Sequence, residues 1–87
     1  VGKATYSWRA AVMGDAKTGA VYKFVCCQGE CPGAPSTAGE PDADGYMRLL
    51  YNTAVDPVDM VDLRKTLPHV AAKLQAALPR KNGFDCS

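Results

Sequence analysis

The chain has 87 residues, of which 47% are hydrophobic and 22% are charged, and its formal net charge is +1. This length supports a single domain, residues 1–87, and the composition is typical of a chain that folds. The weak net charge argues against nucleic acid as a partner, and the short apolar runs exclude a membrane span.

The first two strands are predicted from alternating residues. Residues 4–13 alternate between two faces, residues 14–19 ("GDAKTG") predict a turn with a glycine at each end, and residues 20–27 alternate again. We therefore expect a hairpin with one aromatic face. That face is predicted to contain Tyr6, Trp8, Tyr22 and Phe24, with Cys26 beside them.

A long loop and a third strand follow. Residues 28–45 are rich in Pro, Gly and acidic residues and have no periodic apolar positions, which predicts an irregular loop that is functional or mobile. Residues 46–52 alternate and predict the third strand, so the sheet is expected within residues 1–52. Tyr46 and Tyr51, in that strand, are expected to be exposed aromatic residues.

Residues 56–79 predict a C-terminal helix that covers one face of the sheet. Asp56 can cap this helix, Pro57 suits the first helical position, and Pro68 is expected to kink it or to divide it into two abutting helices. Residues 80–87 are expected to form a tail. The apolar stripe of the helix comprises Met60, Leu63, Leu67, Val70, Leu74 and Ala77. The predicted fold class is α+β, a small three-stranded antiparallel sheet covered on one face by a kinked C-terminal helix.

Four cysteines in so short a chain favour two disulfides, because a small core needs cross-links and an even count suits an oxidising compartment. Cys26 and Cys27 are neighbours in a strand, so their side chains point to opposite faces and should not pair with each other. Cys26 lies on the predicted helix side, and Cys86 lies in the tail after that helix. We therefore predict the disulfides Cys26–Cys86 and Cys27–Cys31, with the swapped pairing as the alternative.

A metal site is the competing interpretation. The C-C-x-x-x-C spacing lacks the paired C-x-x-C of a zinc ribbon, and it also lacks a C-x-x-C redox pair. Residues 40–47 are similar to the first positions of a calcium loop, because acidic residues alternate there before Gly45. Tyr51, however, replaces the bidentate acid that such a loop needs. We therefore predict no metal and no other cofactor.

The sequence shows no set of residues typical of catalysis. His69 is the single histidine, and no second catalytic group is spaced to it. The serines lie in no nucleophile motif, and the glycine-flanked turn at residues 14–19 joins two strands, unlike a phosphate loop. We therefore expect that the protein is not an enzyme, and we assign no catalytic residue.

These features together favour a secreted or periplasmic interaction protein that binds another protein, as inhibitors, immunity proteins, toxins and effectors do. The chain begins without an initiator methionine and without a signal peptide, which we interpret as a mature or trimmed form. One alternative is a structural subunit or trimmed domain of a larger assembly, in which the uncovered sheet face could pair two copies as a homodimer. The other is a metal-binding protein. The predicted partner contacts are Glu30, Glu40, Asp42, Asp44, Tyr46 and Arg48.

Overall fold

The computed structural model describes residues 8–29, 31, 34, 40–78 and 86. In this part of the chain the elements are β1 (Trp8–Gly14), β2 (Val21–Gln28), β3 (Tyr46–Asn52) and α1 (Pro68–Ala76). The strands form one antiparallel sheet with β2 in the centre, and α1 packs against β2 and β1. The α+β class predicted from the sequence is confirmed.

A short turn joins β1 to β2. The backbone N–H of Asp15 donates to the carbonyl of Ala20 at 2.8 Å, which continues the ladder just beyond β1. Gly19 donates back to the Asp15 carbonyl with φ at +74°, a conformation that glycine adopts without strain. The Asp15 carboxylate also accepts a hydrogen bond from the Lys17 backbone N–H. The predicted turn is therefore confirmed, and its glycine and aspartate explain why it forms here.

The register of this hairpin differs from the prediction at Trp8. Trp8 is paired with Cys27, and Ala11 is paired with Phe24. Directly opposed residues point to the same face of a sheet, so Trp8 lies on the face opposite the helix, where it is 56% exposed. The prediction that Trp8 shares a face with Tyr22 and Phe24 is therefore wrong. A shift of one residue in register moves a whole strand's side chains to the other face, and alternation alone cannot detect it.

The main core lies between the sheet and α1. Phe24, Cys26 and Leu50 on the sheet are fully buried, as predicted for the first two. Tyr6, also predicted for this face, lies outside the described residues. The buried members of this core are Phe24, Cys26, Leu50, Ala71, Leu74, Leu78 and Cys86. The disulfide between Cys26 and Cys86 crosses this core, with 6.5 Å between the two Cα atoms.

A second, smaller core lies on the opposite face of the sheet. Its buried members are Cys27, Cys31, Met47, Leu49 and Tyr51. The disulfide between Cys27 and Cys31 lies within it, so the predicted pairing is confirmed and the swapped pairing is excluded. Tyr51 is only 3% exposed, and the expectation that it is an exposed aromatic is therefore wrong.

The helix is shorter than predicted, because it begins at Pro68 instead of Asp56. Pro68 occupies the first helical position, where its missing N–H costs nothing, and it does not kink a longer helix. Residues 56–67 form turns and irregular backbone, and Pro79 with most of the tail lies outside the described residues. No helix in the described part of the chain is long and apolar enough to cross a membrane.

Competition from β3 explains why residues 56–67 are not helical. The backbone N–H of Leu63 donates to the carbonyl of Leu50 at 2.6 Å, and the Asp62 carboxylate accepts from the N–H of Leu50 at 2.9 Å. These bonds occupy the outward backbone groups of Leu50 in β3. The first of them also uses the N–H of Leu63, which would donate within a helix. Asp59 adopts φ at +54°, which a right-handed helix does not allow. As a result Met60, predicted to be in the apolar stripe, is 56% exposed.

Candidate functional site

Three of the predicted partner contacts belong to one charged network. We call this network the acidic clamp and define it as Asp42, Asp44, Arg48 and Arg64. Nη1 of Arg48 donates to Oδ2 of Asp42 at 2.6 Å, and Nη2 donates to Oδ2 of Asp44 at 2.5 Å. Nη1 of Arg64 donates to Oδ1 of Asp42 at 3.1 Å. Arg48 is only 8% exposed, so these bonds form at the boundary of the core.

The acidic clamp also holds the end of the chain. Nε and Nη2 of Arg48 donate to the carbonyl oxygen of Cys86 at 3.3 and 3.1 Å, and Nε2 of Gln75 donates to the same oxygen. One buried guanidinium therefore joins the acidic turn, β3 and the disulfide-bonded residue Cys86. The arrangement is that of a structural tie between distant parts of the sequence.

The clamp lowers the pKa of both carboxylates. The hydrogen bond from Arg48 is the main cause that lowers the pKa of Asp44 to about 2. Burial acts to raise the pKa of Asp42, but hydrogen bonds and charges from Arg64 and Arg48 together hold it below its ordinary value. The hydrogen bonds that Arg48 donates, first to Asp44 and then to Asp42, raise the pKa of Arg48 against the opposing effect of burial. Each of these shifts favours the charged form of Asp42, Asp44 or Arg48.

The other predicted contacts are placed differently. Glu40 is exposed, and Glu30 lies outside the described residues. Tyr46 is half-buried, and the guanidinium carbon of Arg48 lies 5.8 Å from the centre of its ring, within cation–π range. The prediction that these residues contact a partner stays a prediction, since the clamp uses Arg48 and its two carboxylates internally.

The described residues offer little to a metal ion. They contain no group of three or more His, Cys, Asp or Glu side chains placed to hold one. All four cysteines are in disulfides, so no thiolate is present as a ligand. In the segment that is similar to a calcium loop, the Asp42 and Asp44 carboxylates are bound by arginine. His69 is exposed on α1.

A different segment presents apolar side chains to solvent. We call residues 53–62 the apolar loop. It contains four of the large hydrophobic side chains that are most exposed in the described residues, and these are Val55, Val58, Met60 and Val61, with 79%, 71%, 56% and 57% exposure. Scattered exposed valines are ordinary on protein surfaces, but four within seven residues are typical of an interaction site.

Three aspartates fix the backbone of the apolar loop. The Asp56 carboxylate accepts hydrogen bonds from the backbone N–H groups of Met60 and Val61 at 2.9 Å. Asp59 forms an ion pair with Lys23 of β2. Asp62 accepts from Leu50 and from the N–H of Arg64, which ties the end of the loop to β3. Because the polar side chains turn inward, the aliphatic ones turn outward.

A cavity of about 280 Å³ lies beside the apolar loop, on the sheet face opposite α1. Its lining is mostly apolar and comprises Trp8, Lys23, Val25, Cys27, Cys31, Ala34, Leu49, Tyr51 and Asp59. Asp59 is therefore shared between the loop and the cavity. Its Oδ1 is buried and has no hydrogen-bond partner among the described residues.

Tyr51, which lines this cavity, has a raised pKa. Burial is the main cause that raises the pKa of Tyr51 to about 12, and the negative charges of Asp59, Asp62 and Asp56 add to the effect. The Lys23 ammonium lies 5.8 Å from the centre of the Tyr51 ring. The carboxylates of the apolar loop thus lie close enough to Tyr51 to make ionisation of its hydroxyl less favourable.

Sequence reasoning missed the apolar loop because its residues fit a helix equally well. Asp56 and Pro57 are typical of a helix start, and Met60 fits the apolar stripe. The available signal was the recurrence of aspartate at positions 56, 59 and 62. Aspartate side chains bind nearby backbone N–H groups and thereby compete with helix formation.

Searches of protein family models, curated proteins and solved structures found no match to this chain.

Proposed function

We propose that this protein is a secreted or periplasmic, disulfide-stabilised interaction protein that binds another protein through its apolar loop and the adjoining cavity. The observation that carries the proposal is the loop itself, in which Val55, Val58, Met60 and Val61 are exposed while three aspartates hold the backbone in place. An inhibitor, immunity protein, toxin or effector would act in this way.

The fixed backbone is what makes the loop suitable for binding. A flexible segment loses conformational entropy when it binds, and that loss weakens the complex. Here the loop is bonded to itself at Asp56, to β2 through Asp59 and to β3 through Asp62. Its apolar side chains therefore need little further ordering, and their burial can contribute directly to affinity.

The cavity defines what the partner should present. Its lining is mostly apolar and includes the ion pair of Lys23 and Asp59. The Asp59 Oδ1 atom is a buried acceptor without a partner among the described residues. We expect the partner to insert an apolar side chain, since such a group fills the cavity.

The proposed location rests on the disulfides. Two disulfides are formed in a chain of 87 residues, and such bonds persist in oxidising compartments outside the cytoplasm. Inhibitors, toxins and effectors that act outside the cell need this kind of cross-linked stability.

A photo-crosslinking experiment tests the proposal. A photoreactive amino acid is placed at Val58 in the apolar loop and, as the control, at Ala72 on the exposed side of α1. Both proteins are exposed to extracellular or periplasmic fractions from the source cells and their environment. A discrete protein adduct at position 58 that is absent at position 72, and that the unlabelled protein competes away, is expected. Equal labelling at the two positions would contradict the proposal.

The loop itself is tested with matched substitutions once an adduct is identified. Val58→Asp should weaken binding of that protein at least tenfold, because a charge would enter an apolar contact. Lys73→Asp, at a position that is also exposed and lies on α1, should leave the affinity unchanged. Glu40→Gln and Asp44→Asn test the earlier prediction that the acidic turn takes part in the contact.

A structural subunit of a larger assembly is the second candidate function. The observation that favours it is the outer edge of β1, where the exposed side chains of Trp8 and Val12 border a strand edge that no other described strand covers. Sedimentation of the isolated chain over a range of concentrations distinguishes this candidate, because a structural subunit should form assemblies of more than two chains.

A further inference from the structure

The outer edge of β1 carries backbone groups that point away from the sheet. In an antiparallel ladder, alternate residues direct both N–H and C=O toward the same neighbour. The hydrogen bond from Asp15 to Ala20 shows that Asp15 faces β2. Ala11 and Met13 lie four and two residues before Asp15, so their backbone N–H and C=O groups also point toward β2. The backbone groups of Ala10, Val12 and Gly14 point outward. The register thus determines which residues another strand would meet.

This edge is open in the described part of the chain. No hydrogen bond joins the backbone of Ala10, Val12 or Gly14 to any other described residue on that side. Val12 is 64% exposed and Trp8 is 56% exposed. The outer edge of β3, by contrast, is bonded to Asp62 and Leu63. An unprotected edge strand with apolar side chains readily pairs with another strand.

We propose that two copies of this chain associate through β1, as antiparallel neighbours, with Val12 of one copy opposite Val12 of the other. The pairing would place Ala10 of each copy opposite Gly14 of its partner. All of these residues direct N–H and C=O outward, so each pair can exchange two backbone hydrogen bonds. The two Val12 side chains would meet on the cavity side and cover each other.

Charge complementarity selects this register among the neighbouring ones. With Val12 at the centre, Arg9 of each copy lies directly opposite Asp15 of the other, and two ion pairs form across the interface. A centre at Ala11 would place Arg9 opposite Met13, and a centre at Ala10 would place it opposite Ala11. Nη1 of Arg9 already donates to the Trp8 carbonyl at 2.8 Å, so its charge lies near this part of the strand.

The symmetry of the dimer gives it a defined shape. Identical residues that face each other in antiparallel strands are related by a two-fold axis perpendicular to the sheet. The sheets of the two copies would therefore join into one continuous sheet, with both α1 helices on one face. Both cavities would lie on the other face. The dimer would offer two copies of the cavity on the same side, which increases avidity for a repetitive or dimeric partner. The dimer proposal stands independently of the proposed function.

Charge exchange tests this pairing most sharply. Arg9→Glu alone places like charges opposite each other at both contacts, and so does Asp15→Arg alone. When the two variants are mixed, a heterodimer restores opposite charges at both contacts. We expect each single variant to dimerise at least tenfold more weakly than the wild type in sedimentation equilibrium. We also expect the mixture to recover a species of twice the 9.2 kDa chain mass.

A proline substitution provides the second test. Val12→Pro removes the central outward N–H but no bond to β2, so the chain should fold and remain monomeric. Near-ultraviolet circular dichroism checks the fold. A wild-type chain that stays monomeric up to about 1 mM, where even weak complexes form, would overturn the proposal. So would a mixture of the two charge variants that associates no better than either alone, or a folded Val12→Pro variant that dimerises like the wild type.

Discussion

The acidic clamp and the apolar loop both contain closely spaced aspartates, but they expose opposite kinds of side chain. In the clamp, Asp42 and Asp44 bind the guanidinium of Arg48, so their charges are paired at the boundary of the core. In the apolar loop, Asp56 and Asp62 bind backbone N–H groups. The polar side chains there are turned inward and the aliphatic ones outward.

A charged segment is therefore not necessarily the surface that binds a partner. Residues 40–45 suggested a contact surface because they are acidic and lie in a loop. The Asp42 and Asp44 carboxylates bind Arg48 and stabilise the fold, while residues 53–62, with the pattern of a helix, present the apolar surface. The clamp should therefore respond to substitution mainly in stability, and the loop mainly in binding.

The largest expected effect comes from the disulfide beside the clamp. Cys26 and Cys86 are 60 residues apart, and Cys27 and Cys31 are 4 apart. In the chain-entropy model, replacing both cysteines of the long bridge by serine should cost about 4 kcal/mol, against about 2 kcal/mol for the short one. Chemical denaturation of the two double variants measures this difference. Equal losses would contradict the view that the clamp region secures the fold.

Arg48→Met should produce the next largest effect. The variant loses the buried guanidinium that binds two carboxylates and the Cys86 carbonyl, and we expect a loss of about 2–3 kcal/mol in the free energy of unfolding. Thermal or urea unfolding measures it. Arg64→Met is the matched control, because Arg64 binds Asp42 alone within the clamp and is more exposed, and it should cost less than 1 kcal/mol.

The pH dependence of the free energy of unfolding tests the bond between Arg48 and Asp44. The folded pKa of Asp44 is about 2, which is below its ordinary value of 3.8. A depressed pKa contributes stability above the unfolded value and loses it as the pH falls, so the contribution of Asp44 should disappear between about pH 4 and pH 2. Arg48→Met should flatten the stability profile in this window. A profile unchanged by that substitution would show that Asp44 owes its pKa to another group.

A smaller effect on stability is expected from the ionisation of Tyr51, which lines the cavity. The pKa of Tyr51 is raised to about 12 by burial and by nearby carboxylates, so unfolding should become easier between about pH 10 and pH 12, where only the unfolded phenol ionises. Asp59→Asn removes one of these charges and should lower the pKa of Tyr51. Ultraviolet titration of tyrosinate measures this, and Asp15→Asn, in the distant hairpin turn, is the control.

The smallest effect on stability is expected from the apolar side chains of the loop. Val58→Ser and Met60→Ser should each change the free energy of unfolding by less than about 0.5 kcal/mol, because both side chains are already exposed. Asp56→Ala in the same loop should cost about 1 kcal/mol, since two backbone N–H groups lose their acceptor. Thermal unfolding of the three variants makes the comparison. Large losses at Val58 or Met60 would place them in the core instead of at a binding surface.

The local features of this protein could be predicted from the sequence alone. Alternation located β2 and β3, and the glycines and Asp15 located the turn between the first two strands. The opposite directions of Cys26 and Cys27 in a strand were enough to predict both disulfides. These features depend on neighbouring residues, whose geometry the backbone fixes.

The features that depend on distant partners could not be predicted in this way, because long-range contacts set them. The register placed Trp8 on the face opposite α1, although its alternation fitted either face. The edge of β3 bound Asp62 and Leu63 and so prevented a helix from Asp56 onward, although the local sequence favours one. Arg48 turned the acidic segment into an internal tie. In each case a long-range hydrogen bond, ion pair or strand pairing outweighed a local preference worth only a few tenths of a kcal/mol per residue.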